Sequence, residues 1–302
     1  MLLTFFHHPH KGNIDEKAKK AAISPLNVRY APFLSRIMTP MMKNKVLFFD
    51  IDGTLVSFKT HTIPDTAVDA LRQAHSLGHK IIISTGRAFQ IIDNLEQIKD
   101  IVDGYITVNG AYCFAGDTVV FDKPIPDEEV QTFIRISDEQ QFAIMLVGQH
   151  DMAVHNVSDE MRHVYLDILK IRKFPEFIPV EQMAPQKIYE FNAFISKEKQ
   201  DEFMHRLPHC VSFRWYPTFS DINVNTANKG AGVIAMADHF GVTIEDTIAF
   251  GDGNNDVPMI KQAGIGIAMG NAWDTTKQIA DYVTDSVDEN GIYNALKHFK
   301  LI

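Results

Sequence analysis

Cysteine is nearly absent: Cys113 and Cys210 are the only two in 302 residues. Two thiols so far apart suggest neither a disulfide framework nor a zinc site. They are expected to be ordinary reduced, largely buried thiols, which places the protein in a reducing compartment, the cytoplasm. No apolar run approaches the length needed to span a bilayer, so no membrane partner is expected. Positive charge is also in short supply. Against 38 Asp and Glu stand 29 Lys and Arg, a net charge of −9, which argues against nucleic acid as the main partner. A small phosphorylated molecule stays open, because a bound cation and a few local positive groups override a negative global field at one site. Repeats of solenoid period are missing too. What is present is a chain 45% apolar and 22% charged, of ordinary globular composition and long enough for two domains or one domain with a large insertion. A monomer is expected.

Residues 1 to 42 differ from the rest. They carry six Lys or Arg against two acids, a charge of +4 that leaves −13 for the remainder. The apolar start, Met1 to Phe6, is too brief for a signal peptide and runs into His7, His8, Pro9 and His10 instead of a cleavage site. This stretch is expected to be a poorly ordered extension, with Met41 or Met42 a natural beginning.

From Lys45 the punctuation turns regular. Val46-Leu47-Phe48-Phe49 is a continuous apolar run ending in Asp50, as in a buried parallel strand whose carboxyl end carries chemistry. Pro64 suits a helix start, with Val68, Leu71 and Leu77 at roughly helical spacing and Gly78 as the stop. Lys80 to Ser84 and Gly104 to Val108 read as the next strands, with a helical pattern between them. Late in the chain the alternation resumes. A helix is marked by Val233, Ile234, Ala237 and Phe240, and strands by Thr247 to Phe250, Ile265 to Met269 and Asp281 to Thr284. Pro258 to Ala263 makes a short helix. Both ends therefore predict one α/β layer, a doubly wound parallel sheet of Rossmann-like kind over residues 43 to 125 and 217 to 302. Residues 126 to 216 mix helical stretches (Asp127 to Gln140, Lys197 to Arg206) with short strands (Ala143 to Val147, Ile188 to Ile195). They predict an inserted α+β cap over the sheet's carboxyl edge.

Ligands of open α/β sheets bind beyond the carboxyl ends of the strands, and three such ends carry distinctive residues. In Asp50-Ile51-Asp52-Gly53-Thr54, residues i and i+2 on extended backbone point the same way, so both carboxylates face one site. Gly53 permits a sharp turn and brings N–H groups toward an anion. Two carboxylates facing a phosphate require a divalent cation, and hard oxygen ligands favour Mg²⁺. Ser84-Thr85-Gly86-Arg87 offers a hydroxyl, a glycine turn and a guanidinium, the parts of a phosphate-binding corner. Gly251-Asp252-Gly253-Asn254-Asn255-Asp256 is a tight loop with oxygen ligands at Asp252, Asn255 and Asp256, and its spacing excludes an EF-hand. Lys229 stands at a helix start, where the dipole prefers an acid, and that misplacement fits neutralisation of a bound phosphate.

In order, these motifs resemble the haloacid dehalogenase (HAD) superfamily and, more narrowly, its Cof-type (subclass IIB) phosphatases. The likeness covers about residues 43 to 302 and includes the Val108-Asn109-Gly110-Ala111 turn. The resemblance implies that Asp50 attacks phosphorus to give an aspartyl phosphate. It implies that Asp52 protonates the leaving group and then activates water. Mg²⁺ is then held by Asp50, the Asp52 backbone carbonyl and Asp252, with Asp256 behind them. Thr85 and Lys229 bind the transferring phosphoryl oxygens, with Asn255 and Arg87 assisting and Gly53 and Asn109 beside the substrate. The expected reaction is hydrolysis of a small phosphorylated metabolite, a sugar phosphate. One alternative is a phosphotransferase or phosphomutase, separable by rephosphorylation of a bound bisphosphate. Another is a non-catalytic phosphometabolite sensor, which the intact Asp50, Asp52 and Lys229 disfavour. Asn109, Glu190, Arg214 and Trp215 fall near the expected cap–core seam, with hinges near residues 124 to 126 and 217 to 220.

Overall fold

Alternate residues of Val46–Phe49 (β1) are buried on both sides, so this strand must lie inside a sheet covered on two faces. A computed structural model shows how, for residues 44–168, 178–183 and 185–302. The extension expected over residues 1 to 42 lies outside the described residues. In chain order the elements after β1 are α1 (Asp65–Ser76), β2 (Lys80–Ser84), β3 (Gly104–Thr107), β4 (Tyr112–Ala115), β5 (Thr118–Asp122), α2 (Asp127–Gln140), β6 (Ala143–Gly148), β7 (Met152–His155) and α3 (Asp159–His163). There follow β8 (Ile178–Pro179), β9 (Ile188–Phe194), α4 (Lys197–Phe203), β10 (Cys210–Tyr216), β11 (Phe219–Val224), α5 (Lys229–His239), β12 (Thr247–Gly251), α6 (Val257–Gln262), β13 (Ile265–Ala268), α7 (Asp274–Lys277), β14 (Tyr282–Val283) and α8 (Gly291–His298).

The first sheet runs β14-β13-β12-β1-β2-β3-β4-β5. Its pairs from β14 to β3 are parallel, and β4 and β5 add an antiparallel edge. Period-2 alternation sorts the core into two layers. Leu47, Phe49, Ile81, Ile83, Ile248 and Phe250 pack under α1 and α8. Val46, Phe48, Ile82 and Ala249 pack under α5 and α6, against Val233, Met236, Met259 and Ile260. The sheet is therefore doubly wound, as expected. Because β1 lies between β2 and β12 while the chain visits them early and late, its carboxyl end is the topological switch point.

Three expectations within this layer's own elements need correction. Between β2 and β3 there is no α-helix, only two single 3₁₀ turns at Phe89–Ile91 and Lys99–Ile101. The apolar spacing of Ile91, Leu95, Ile98 and Ile101 is spent on an irregular run. Its polar side chains hold the backbone elsewhere: Gln97 exchanges two hydrogen bonds with the main chain of Ile63. On α5, Ile234 faces outward and is 45% exposed, while Val233, Met236 and Ala237 form the buried face. Leu77 lies past the end of α1 and is likewise exposed.

The second sheet runs β10-β11-β9-β6-β7-β8, antiparallel except at β7–β8. The expected return to the first layer at residue 217 cuts a hairpin in two, because β11 pairs with both β10 and β9. Residues 217 to 220 thus hold the hairpin turn and the start of β11, not a crossing. The chain returns over residues 225 to 228 instead.

Candidate active site

The carboxyl ends of β1 and β12 are hydrogen-bonded neighbours, and the Asp50 N–H donates to the Phe250 carbonyl at 3.1 Å. That register brings Asp50 beside the loop that starts at Asp252. Carboxylate oxygens of Asp50, Asp252 and Asp256 all lie within 4.8 Å of one another, and all three residues are buried. Lys229, 0% exposed at the first turn of α5, donates from Nζ to Asp50 Oδ1 and to Asp256 Oδ1, each at 2.6 Å. The Asn228 side chain caps this helix by accepting from the Ala231 N–H at 3.0 Å. The lysine sits at the positive end of the helix dipole, and the two carboxylates are what hold its charge there.

Asp256 has both oxygens engaged, since Oδ2 also accepts from the N–H groups of Asp252 (2.9 Å) and Gly253 (2.8 Å). It braces the loop while facing the lysine. Asp252 accepts from the Thr54 hydroxyl at 2.9 Å, which ties the two strand ends together. Gly53 has φ +85°, and a Cβ there would collide with the Asp252 carboxylate and the Phe58 ring. Asn271 was missed by sequence reasoning. Its side-chain amide donates to the Gly53 carbonyl at 2.8 Å and lies 3.5 Å from Asp252, while its Oδ1 accepts from the Val287 N–H. Nothing in a lone Asn after a strand signals that role.

Three buried carboxylates face one ammonium, so two negative charges are unbalanced. Burial pushes the Asp50 carboxyl well up, and Asp256 adds to this against the opposing Lys229. Burial, then Asp256, pushes Asp252 up to about 7. Burial lowers the Lys229 pKa, but Asp256 and Asp50 more than offset it, and its net shift is upward. A hard divalent cation fits this donor set: the ligands are all oxygen and the charge deficit is two.

Thr85 is buried, and its Oγ1 accepts from the Arg87 N–H at 3.0 Å. Val108 and Asn109 both have φ +52°, a left-handed turn pinned by Val108 N–H to the Arg87 carbonyl and Asn109 N–H to the Thr85 carbonyl. It carries Asn109 to Asn255, whose Nδ2 donates to Asn109 Oδ1 at 3.2 Å. Asp52 and Arg87 pair with each other. The Asp52 carboxylate lies outside the cluster of Asp50, Asp252 and Asp256 and forms a bidentate pair with Arg87 (2.8 and 2.7 Å). Asp52 nonetheless stays near the cluster, since its charge helps to raise both Asp50 and Asp252, while the backbone turns from Ile51, whose carbonyl accepts from the N–H groups of Leu55 and Val56.

The residues near the expected seam divide. Glu190 is buried on the second sheet and accepts from the side-chain amides of Asn192 (2.8 Å) and Asn223 (2.9 Å). Arg214 donates to the carbonyls of Ile195 and Pro217 and to Gln200, which assigns it to that sheet's own structure. The Trp215 side chain lies outside the described part. Contacts that join the layers come instead from Gln90 to the Gly148 carbonyl (3.0 Å), from Gln149 to Tyr112 (3.3 Å) and from Lys187 to Asp122. No helix among the described residues is long and apolar enough to cross a membrane.

An aspartate at a switch point, a buried lysine against it and an acidic loop on the neighbouring strand define a phosphoryl-transfer site. The profile of the haloacid dehalogenase-like hydrolases matches residues 47–296, and the chain belongs to that family. Its fold superposes on the HAD subclass IIB sugar phosphatase BT4131 with a TM-score of 0.76 at 41% identity, over 86% of this chain and 100% of that one. For the HAD phosphatase BT1666 from Bacteroides thetaiotaomicron the values are 0.74 and 35%, over 88% and 98%. Among curated relatives, 5-amino-6-(5-phospho-D-ribitylamino)uracil phosphatase YcsE of Bacillus subtilis (strain 168) is 29% identical, over 85% of this chain and 96% of its own. The protein is a phosphatase of the HAD superfamily.

Proposed function

We propose that the protein is a Mg²⁺-dependent cytoplasmic monomer that hydrolyses a small phosphorylated metabolite, a sugar phosphate, through an aspartyl phosphate on Asp50. The observation that carries this reading is the Lys229 ammonium held 2.6 Å from Asp50 at the switch point, with Asp252 and Asp256 alongside. An ammonium so placed neutralises the charge on a phosphoryl group as it approaches the carboxylate, the main demand of phosphoryl transfer. Asp50 supplies the attacking oxygen. Asp52 gives a proton to the leaving oxygen and later takes one from water. Thr85 and Lys229 hold the phosphoryl oxygens, while Asn255 and Asn109 line the entrance. Asp50, the Asp52 carbonyl and Asp252 would hold Mg²⁺, with Asp256 behind. When bound, the ion shields the phosphate from the carboxylates and polarises its oxygens.

The sugar-phosphate class is supported by the 41% identity to a protein described as a sugar phosphatase. The second sheet with its helices, residues 126 to 224, acts as the cap that selects the ester. The test is phosphate release from a panel of sugar and nucleotide phosphates, with and without Mg²⁺. Asp50→Asn is expected to lose release by at least about a thousandfold. Retained activity in that variant would sink the mechanism. Retention of a rephosphorylated bisphosphate would favour a mutase instead.

A further inference from the structure

Arg87 follows the Thr85-Gly86 turn, a position that suggests a grip on the transferring phosphate. Its guanidinium is used differently. Nε donates to Asp52 Oδ2 at 2.8 Å and Nη2 to Asp52 Oδ1 at 2.7 Å. Nη1 turns to the Ile91 carbonyl (3.5 Å) and to Asp93 (3.6 Å). Every nitrogen is thus directed at Asp52 or at the 91–93 turn. Asp52 is 37% exposed at its side chain, and among the described residues no other side-chain or backbone donor holds its carboxylate. A short acid side chain in that setting would sample several rotamers. A planar fork gripping both oxygens selects one of them.

We propose that Arg87 is a positioning residue for Asp52: it fixes the direction in which the acid/base carboxyl faces and does not hold the transferring phosphoryl group. This deepens the phosphatase reading and rests on it. The fork takes one lone pair from each Asp52 oxygen and leaves another on each. In the first half-reaction an Asp50 oxygen bonds to phosphorus, the ester P–O bond breaks, and the proton of Asp52 passes to the leaving oxygen. In the second, a water oxygen bonds to phosphorus, its proton passes to Asp52, the Asp50–phosphorus bond breaks, and orthophosphate departs. Asp52 must stand in one place through both, and Arg87 is the group that keeps it there.

Four proteins decide the matter: wild type, Arg87→Met, Asp52→Asn and the double variant, with Arg87→Lys as a conservative check. Orthophosphate binding with Mg²⁺, measured by calorimetry, is expected to stay within about twofold in Arg87→Met, which also reports an intact site. For an alkyl phosphate, kcat of Arg87→Met is expected to fall about 10–100-fold with KM within about threefold. Arg87→Lys, which keeps the charge without the fork, should recover part of that loss. Adding Arg87→Met to Asp52→Asn should cost nothing further, since the group being positioned is already disabled. Orthophosphate binding weakened tenfold or more in Arg87→Met would overturn the proposal while leaving the phosphatase reading intact. So would an equal Arg87→Met loss in the Asp52→Asn background. Wild type that binds orthophosphate yet cleaves no ester would overturn both.

Discussion

Two buried polar clusters, one on each sheet, hold their carboxyls in opposite ways. At the switch point, Asp50 and Asp256 face an ammonium, and backbone N–H groups and a hydroxyl take the other oxygens of Asp252 and Asp256. On the second sheet, Glu190 sits between the amides of Asn192 and Asn223, with the Tyr165 hydroxyl donating to Asn192 at 3.0 Å. Burial, then Asp221, pushes Glu190 well up, against the opposing hydrogen bonds from Asn223 and Asn192. The same force raises Asp252 to about 7. One cluster sets its carboxylates around an ammonium, and the other answers Glu190 and the neighbouring Asp221 with the side-chain amides of Asn192 and Asn223. Burial of acids is a functional sign where geometry also gathers several carboxylates within reach of one cation, as at Asp50, Asp252 and Asp256.

The strongest way to break this comparison is to remove the ammonium. Lys229→Met is expected to cut phosphate release by about a thousandfold or more, measured at saturating substrate. Survival of activity within tenfold would show that the charge at Asp50 is irrelevant. Next comes Gly53→Ala, which forces a Cβ onto the Asp252 carboxylate at φ +85°. It should lower activity about a hundredfold and stability by about 1–3 kcal/mol, read from denaturant melts.

A third test compares the two acids through pH. Asp252 at about 7 lies above the ordinary 3.8, so the folded protein keeps a proton that the unfolded chain releases. In metal-free protein the resulting penalty is absent below about pH 4, grows up to pH 7 and is complete above it. Asp252→Asn should therefore raise the metal-free thermal midpoint at pH 8 by about 3–6 °C, leave it little changed at pH 4, and abolish stabilisation by Mg²⁺. An unchanged Mg²⁺ response would remove Asp252 from the metal site. The smallest effect is expected at Glu190→Gln. Its folded value is also raised, so its penalty grows as pH climbs past the ordinary 4.5, and the variant should gain about 1–3 °C at pH 8. Its Mg²⁺ stabilisation should match wild type, and loss of that response would erase the distinction between the clusters.

Strand ends were legible because each couples an apolar run to a polar turn: Phe49 to Asp50, Ser84 to Thr85, and Phe250 through Gly251 to Asp252. Parallel order then placed them at one edge of the sheet. Lys229 was legible as a misplaced charge at a helix start. What stayed hidden depends on side-chain direction or on pairing partners distant in sequence. The Arg87–Asp52 pair joins two residues 35 apart, and Arg87 alone looks like a phosphate contact. Asn271 reaches Gly53 across 218 positions. The run from Ile91 to Ile101 has helical spacing, yet Gln97 and its contacts to Ile63 settle its shape. Phe219 to Val224 reads as part of the first layer, and belongs to the second, because a hairpin turn at 217–218 resembles an interdomain linker.

That reassignment has a mechanical consequence. Val224 closes the last strand of the second sheet and Lys229 opens the helix that bears on Asp50, so only four residues of chain join them. Asn228, the last of these, is also the cap of that helix. Ala227, inside that crossing, is buried in the same apolar cluster as Val224, Val108 and Ala111, so the start of the helix that bears the ammonium is anchored from both layers at once.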